Sequence, residues 1–167
     1  MMKKILYFSL FVMGVCGFSI NAKAQAMNAI TPEVVARIIQ DAGLSYQSKF
    51  DALDRPRIIV TEPTSLKAQE FEIYFFDCEQ QVYCQSITLW SWYMPEARIT
   101  HARSNLWNQK NRFMKSYLDK DSQPVLEMDI QGYGGLGVEN LSVLINAYIK
   151  IMPAYAKFMA VDLAQDQ

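Results

Sequence analysis

The chain has 167 residues, 51% hydrophobic and 20% charged, a composition that suits one folded domain and excludes a disordered or low-complexity protein. Three of its 16 basic residues, Lys3, Lys4 and Lys23, precede every acidic residue; without them 13 basic residues face 17 acidic ones, a net charge of −4. Such a body has no sequence-independent attraction for phosphate backbones, so nucleic acid is a poor choice of partner class and none is expected.

The first element is a leader. Lys3 and Lys4 open it, Ile5 to Ile20 follows as an uncharged, mostly apolar run of about sixteen residues, and Ala22-Lys23-Ala24 and Ala24-Gln25-Ala26 offer two A-x-A sites. This is the pattern of a secretory signal over residues 1–24, cut after Ala24 or Ala26. The run is short for a membrane span, so no stable membrane anchor is expected after cleavage. Val15 stands before Cys16 where a lipoprotein signal wants a small residue, which argues against lipidation. Residues 27–167 are expected to form a single domain in the periplasm or outside the cell.

Thr31-Pro32-Glu33 predicts a helix start, with Thr as cap, Pro in the first turn and an acidic residue near the N-terminal dipole. Val34, Val35, Ile38 and Ile39 form its buried stripe and Gly43 its stop. Strands are predicted over Leu44 to Phe50 and Arg57 to Thr61, with a turn through Asp54 between them. Phe71 to Asp77 and Tyr83 to Tyr93 form the clearest strand pair. With Cys16 gone, Cys78 and Cys84 are an even pair in an exported protein, for which a disulfide is the leading reading. Metal binding is the rival, but two thiols and one histidine fall short of a four-ligand site.

If Cys78 faces Cys84, residues whose numbers sum to 162 pair across the hairpin. Phe75 then meets Ile87, Ile73 meets Leu89 and Phe71 meets Ser91 on a core face. Phe76 with Ser86, Tyr74 with Thr88 and Glu72 with Trp90 lie on a wetter one. A slip of one residue would scramble both faces. The small loop closed by the disulfide limits its stabilisation to roughly 2–3 kcal/mol.

After Pro95 a second helix is predicted from Arg98 to Asn111, with Ile99, Ala102 and Leu106 on one side. Strands follow over Phe113 to Leu118 and Pro124 to Ile130, around a polar turn from Asp119 to Gln123. Leu126, Met128 and Ile130 point one way, Glu127 and Asp129 the other. Gly132 to Gly137 leads into a last helix carrying Leu141, Leu144, Ile145, Tyr148, Ile151, Met152, Tyr155 and Phe158, which Pro153 should kink or break. Helices around antiparallel hairpins make an α+β domain with a twisted sheet of five to six strands.

This order resembles the YbjN family of bacterial sensory-transduction regulators from about Ala42 to Phe158. The resemblance rests on Asp77-Cys78 with Cys84-Gln85-Ser86, on Trp107-Asn108-Gln109-Lys110-Asn111-Arg112-Phe113, and on Tyr117-Leu118-Asp119 followed by Pro124-Val125-Leu126-Glu127-Met128-Asp129. It implies a fold like that of type III secretion chaperones, no enzymatic activity, and no catalytic residues or cofactor to carry over.

The remaining motifs are weak as chemistry. Gly132-Tyr133-Gly134-Gly135-Leu136-Gly137 matches G-x-G-x-x-G, but no strand follows the helix, so a turn with positive-φ positions is the better reading. Glu127 and Asp129 could perform acid–base work or simply pair with Arg112 or Lys115 on the neighbouring strand. His101, with Ser104 or Ser116, lacks any motif that fixes a catalytic geometry. Trp107 reads as a core anchor whose indole N–H should find a carbonyl, with Asn108 and Asn111 tying the helix end to the next strand. Trp90 and Trp92 share the wetter face with Tyr74 and Phe76. Either a helix covers them, the C-terminal one above all, or they form a surface for a protein partner or a second copy. The expected function is therefore that of a non-catalytic exported binding protein. The alternative is a small exported hydrolase using Glu127 and Asp129.

Overall fold

The computed structural model describes residues 26–94 and 99–160; the leader, Pro95 and Arg98 lie outside the described residues. The short strand β1 (Ala26–Met27) precedes helix α1 (Pro32–Asp41), whose cap is Thr31, its hydroxyl accepting from the Val34 N–H at 3.3 Å. Val35, Ile38 and Ile39 are buried. Gly43 holds a φ of 77°, the left-handed value that frees the chain from the helix end. Strands β2 (Tyr46–Phe50) and β3 (Pro56–Val60) follow, then a single 3-10 turn at Pro63–Leu66.

The long hairpin of β4 (Glu70–Glu79) and β5 (Tyr83–Trp92) adopts the register expected from the cysteines: Phe71 faces Ser91, Ile73 Leu89, Phe75 Ile87 and Cys78 Cys84. Cys78 and Cys84 are disulfide-bonded. The strands run past the cysteines, which leaves a shorter link than expected. Gln80 and Gln81 both take positive φ there, and the Gln81 amide donates to Asp54 in the β2–β3 turn.

Helix α2 (His101–Lys110) is followed by β6 (Lys115–Leu118), β7 (Pro124–Gln131), the two-residue β8 (Leu136–Gly137) and helix α3 (Val138–Ala160). The main sheet is antiparallel in the order β2-β3-β4-β5-β7-β6; β1 and β8 form a separate pair. Ile30 bridges to Cys84 through two backbone hydrogen bonds, and Gly132 sits so close to Ile30 that a Cβ would lie 3.1 Å from it. The last helix carries Pro153 without breaking, and no helix among the described residues is long and apolar enough to cross a membrane.

One face of the sheet is the core. Phe71, Ile73, Phe75, Ile87, Leu89, Ser91, Leu126, Met128 and Ile130 are all buried there. Helix α3 lies on it: Tyr148 stacks on Phe71 at 5.4 Å, its hydroxyl donates to the Leu126 carbonyl at 2.7 Å, and Ser91 Oγ sits 2.8 Å away. Tyr155 repeats the arrangement one helical stretch later, bonding the Val125 carbonyl and Ser116.

Three expectations are corrected here. The buried side of α2 is Arg103, Ser104 and Trp107, not Ala102 and Leu106. The Arg103 guanidinium lies over the Phe158 ring at 4.0 Å and donates to the Phe158 carbonyl near the end of α3, so a cation rather than an aliphatic side chain seals this contact. Phe113 is not a strand residue: its φ is 71° and it is 75% exposed. The Trp107 indole is buried between Tyr155 and Phe158, but its N–H finds no acceptor among the described residues.

Candidate functional site

The opposite face of the sheet carries the residues singled out as a surface. Alternation along β4 and β5 sends Tyr74, Phe76, Trp90 and Trp92 there, and all four are half-buried. The C-terminal helix, the cover in one of the two readings of these residues, packs on the other face through Tyr148 and Tyr155. No described helix lies over them.

The face has an ordered composition. One row across the sheet reads Ile59, Glu72, Trp90, Glu127, Lys115; the next reads Arg57, Tyr74, Thr88, Asp129. Its centre is aromatic, with Tyr74 and Trp90 edge to face at 6.5 Å and Val125 buried opposite Trp92 and Tyr117. Charges flank the centre on both sides. Arg57 Nη1 lies 3.2 Å from Glu72, a carboxylate only 6% exposed. On the other flank, Lys115 Nζ reaches Glu127 at 2.6 Å and Asp129 at 3.2 Å. Thr88 donates to Asp129 at 2.6 Å and Tyr117 to Glu127 at 2.6 Å. Arg55 covers one side of the Phe76 ring at 4.9 Å.

The titration behaviour follows from these contacts. Burial, reinforced by the hydrogen bond to Glu72, pushes the Tyr74 phenol up to about 12. Burial and the Glu127 carboxylate do the same to Tyr117, also to about 12. Glu127 and Asp129 together raise the Lys115 ammonium. Each shift carries its group further from neutral pH, so the two phenols stay protonated and the Lys115 ammonium stays charged there.

The acid–base constellation does not assemble. Glu127 and Asp129 are held by Lys115, Tyr117 and Thr88, and the depression beside them is lined by Asn108, Phe113, Met114 and Lys115. His101 is exposed in the first turn of α2, about 10 Å along the helix axis from Asn108 at the helix rise per residue. Ser116 is committed to Tyr155, and Ser104 is buried. The glycine-rich segment is a turn, with Gly134 at φ 80° and Gly135 at 98°. Among the described residues no three His, Cys, Asp or Glu side chains group to hold a metal ion.

Sequence reasoning missed two features. The Arg57–Glu72 pair could have been found from the register, since Glu72 sits diagonally across from Arg57 on the same face. Asn108 was expected to tie the helix to the next strand, but its pair of hydrogen bonds to one backbone residue was not: it accepts from the Ser116 N–H at 2.7 Å and donates to the Ser116 carbonyl at 3.0 Å. Asn111, which caps the helix end, instead donates back to the Trp107 carbonyl of that helix.

The family model described as "Putative bacterial sensory transduction regulator", YbjN, matches residues 31–160. No curated protein sequence matches the chain. Among solved structures, YbjN of E. coli, described as a putative transcription regulator, superposes with a TM-score of 0.58 at 12% identity, over 79% of this chain and 92% of that one. The Yersinia pestis type III secretion chaperone SycH, solved with a fragment of YscM2, gives a TM-score of 0.42 at 14% identity, over 73% of this chain and 96% of that one.

Proposed function

The chain belongs to the YbjN family, and on that footing we propose that it is an exported, non-catalytic binding protein that holds a protein partner on the aromatic sheet face of Tyr74, Phe76, Trp90 and Trp92. The observation that carries the reading is the face itself: a half-buried aromatic centre bordered by ion pairs formed within the chain. Apolar anchors inside a polar rim are the usual anatomy of a binding surface, and tryptophan and tyrosine are its strongest contributors. Because Arg57, Lys115 and their carboxylates are pre-paired, a partner orders few side chains on docking, which keeps the entropic cost low.

Export is supported by the leader and by the Cys78–Cys84 disulfide, a bond that persists in oxidising compartments. Cleavage after Ala24 would leave Ala26 and Met27 in place to pair with Gly137 and Leu136. Thiol labelling of the denatured, unreduced protein from the cell envelope should then detect no free cysteine. Two labelled thiols would remove the disulfide and, with it, this support for export.

The binding reading is tested by crosslinking in the envelope, with tagged protein beside the Trp90→Ala/Trp92→Ala double variant. The wild type should capture a partner that the variant, still folded by circular dichroism, loses. Equal capture by both, or capture by neither, would remove the aromatic face as the working surface.

A further inference from the structure

The two edges of the main sheet differ. At β6 the Asn108 side chain occupies both outward groups of Ser116. At β2 no described residue does the equivalent. Thr61 N–H donates to the Ser45 carbonyl at 2.9 Å and Asp51 N–H to the Arg55 carbonyl at 3.0 Å. Antiparallel ladders alternate, so Gln47 and Lys49 bond inward to β3, while Tyr46, Ser48 and Phe50 turn their N–H and C=O groups outward. Every residue of β2 after Tyr46 is exposed, and Phe50 is 55% exposed.

We infer that β2 pairs antiparallel with β2 of a second copy of this chain, about a two-fold axis through Ser48. The segment is self-complementary around that point. Ser48 faces its own counterpart, Tyr46 faces Phe50 of the other copy, and the outward groups of all three make about six backbone hydrogen bonds. The two Tyr–Phe pairs give the exposed Phe50 a cross-strand aromatic neighbour. Lys49 falls opposite Gln47, not opposite Lys49, so the charge that would oppose in-register parallel stacking is tolerated here. Moving the axis to Tyr46 or Phe50 drives half the ladder into the loop before β2 or the Asp51 turn.

The same geometry explains why association would stop at two. Pairing consumes β2 in both copies and leaves β6 as each outer edge, where Asn108 already blocks it. A two-fold axis perpendicular to the sheet keeps both aromatic faces on one side, which makes the surface bivalent.

Sedimentation of the full chain, expressed and purified as the cell processes it, tests this. The wild type should sediment at twice the chain mass. Ser48→Pro should sediment as a monomer, with dimer dissociation raised at least about tenfold, because its lost N–H serves only the second copy and an outward edge position accepts proline. Ser48→Cys should form an inter-chain disulfide on oxidation, since directly opposed residues of such a pair lie about 5.5 Å apart, while Gln47→Cys should not. The Trp90→Ala/Trp92→Ala variant should remain dimeric, which separates this contact from the partner surface. A wild type that is monomeric at every concentration overturns the inference, as does a dimer that survives Ser48→Pro. If Ser48→Pro does not keep the wild-type ellipticity, the cysteine variants decide, and absence of the Ser48→Cys crosslink overturns the inference.

Discussion

Raising the pH above 10 is expected to unfold the protein cooperatively, in a transition that releases tyrosine protons and loses the fold together. Tyr93, Tyr148 and Tyr155 are buried on the core face, and burial is the first cause raising each phenol above its ordinary value of 10. Ser91 joins two of the hydroxyls, lying 3.2 Å from that of Tyr93 and 2.8 Å from that of Tyr148, while Tyr148 and Tyr155 donate to the carbonyls of Leu126 and Val125. Ionising Tyr148 or Tyr155 would set an oxyanion against a carbonyl in a dry interior, and ionising Tyr93 would bury a charge there. The unfolded chain gives up these protons near pH 10 and the folded chain does not, so the folded state binds more protons and stability falls as pH rises. Below pH 10 the contribution is complete. Above it, three tyrosines ionised only in the unfolded state lower stability by about 4 kcal/mol per pH unit. A domain of ordinary stability, about 5–15 kcal/mol, loses a large share within one such unit. Tyr74 and Tyr117 add to the loss between 10 and about 12. Thermal melts across this range, with tyrosinate absorbance recorded alongside ellipticity, should show both signals moving together. Tyr148→Phe should make the alkaline limb shallower by one proton. Tyrosinate absorbance that rises fully near pH 10 while the ellipticity stays native would show that these phenols are not held in the core.

The parts of the fold that were legible in the sequence are those where two local signals agree. The β4–β5 register followed from the cysteine spacing and the alternation of FEIYFFD against SITLWSW, and either signal alone would have tolerated a slip. Thr31-Pro32-Glu33 placed α1 to the residue because its cap is chemical and local. Helix α2 shows where this logic fails. Its buried positions are an arginine, a serine and a tryptophan, which no hydrophobic period selects; Arg103 is inside because the end of α3 offers it a carbonyl and a ring. The β1–β8 pair is equally invisible, since two residues carry no periodicity and Leu136-Gly137 reads as the tail of a glycine turn. At the candidate site, the identity of the aromatic residues came from the strand alternation, but how far they are covered did not. That depended on which face α3 would choose, and the tyrosines of α3 are decided by carbonyls of Leu126 and Val125 that lie far away in sequence.

Trp107→Ala is expected to cost about 3–5 kcal/mol, the range for removing a large aromatic side chain from a packed core. Trp107 is 3% exposed and holds two helices together, its ring 4.9 Å from Tyr155 and 5.3 Å from Phe158, both on α3. Trp107→Phe should cost far less, about 1 kcal/mol, because the indole N–H makes no hydrogen bond to a described residue and the phenyl ring keeps most of the apolar contact. The ordering of the two variants is the informative part. If Phe costs nearly as much as Ala, the N–H has an acceptor and the residue works as a polar clamp instead of a filler. Urea unfolding followed by ellipticity gives both numbers, and an alanine penalty under about 1 kcal/mol would remove Trp107 from the core altogether. The loss also reaches the sheet edge. Asn108, the next residue, blocks β6 only while α2 is docked, and its two bonds to Ser116 are the edge's cover. With Trp107 removed, α2 loosens before the sheet does, β6 becomes a second open edge, and association is no longer limited to pairs. Trp107→Ala should therefore aggregate below its melting temperature, while Ser48→Pro in the same chain should slow that aggregation by closing the other edge.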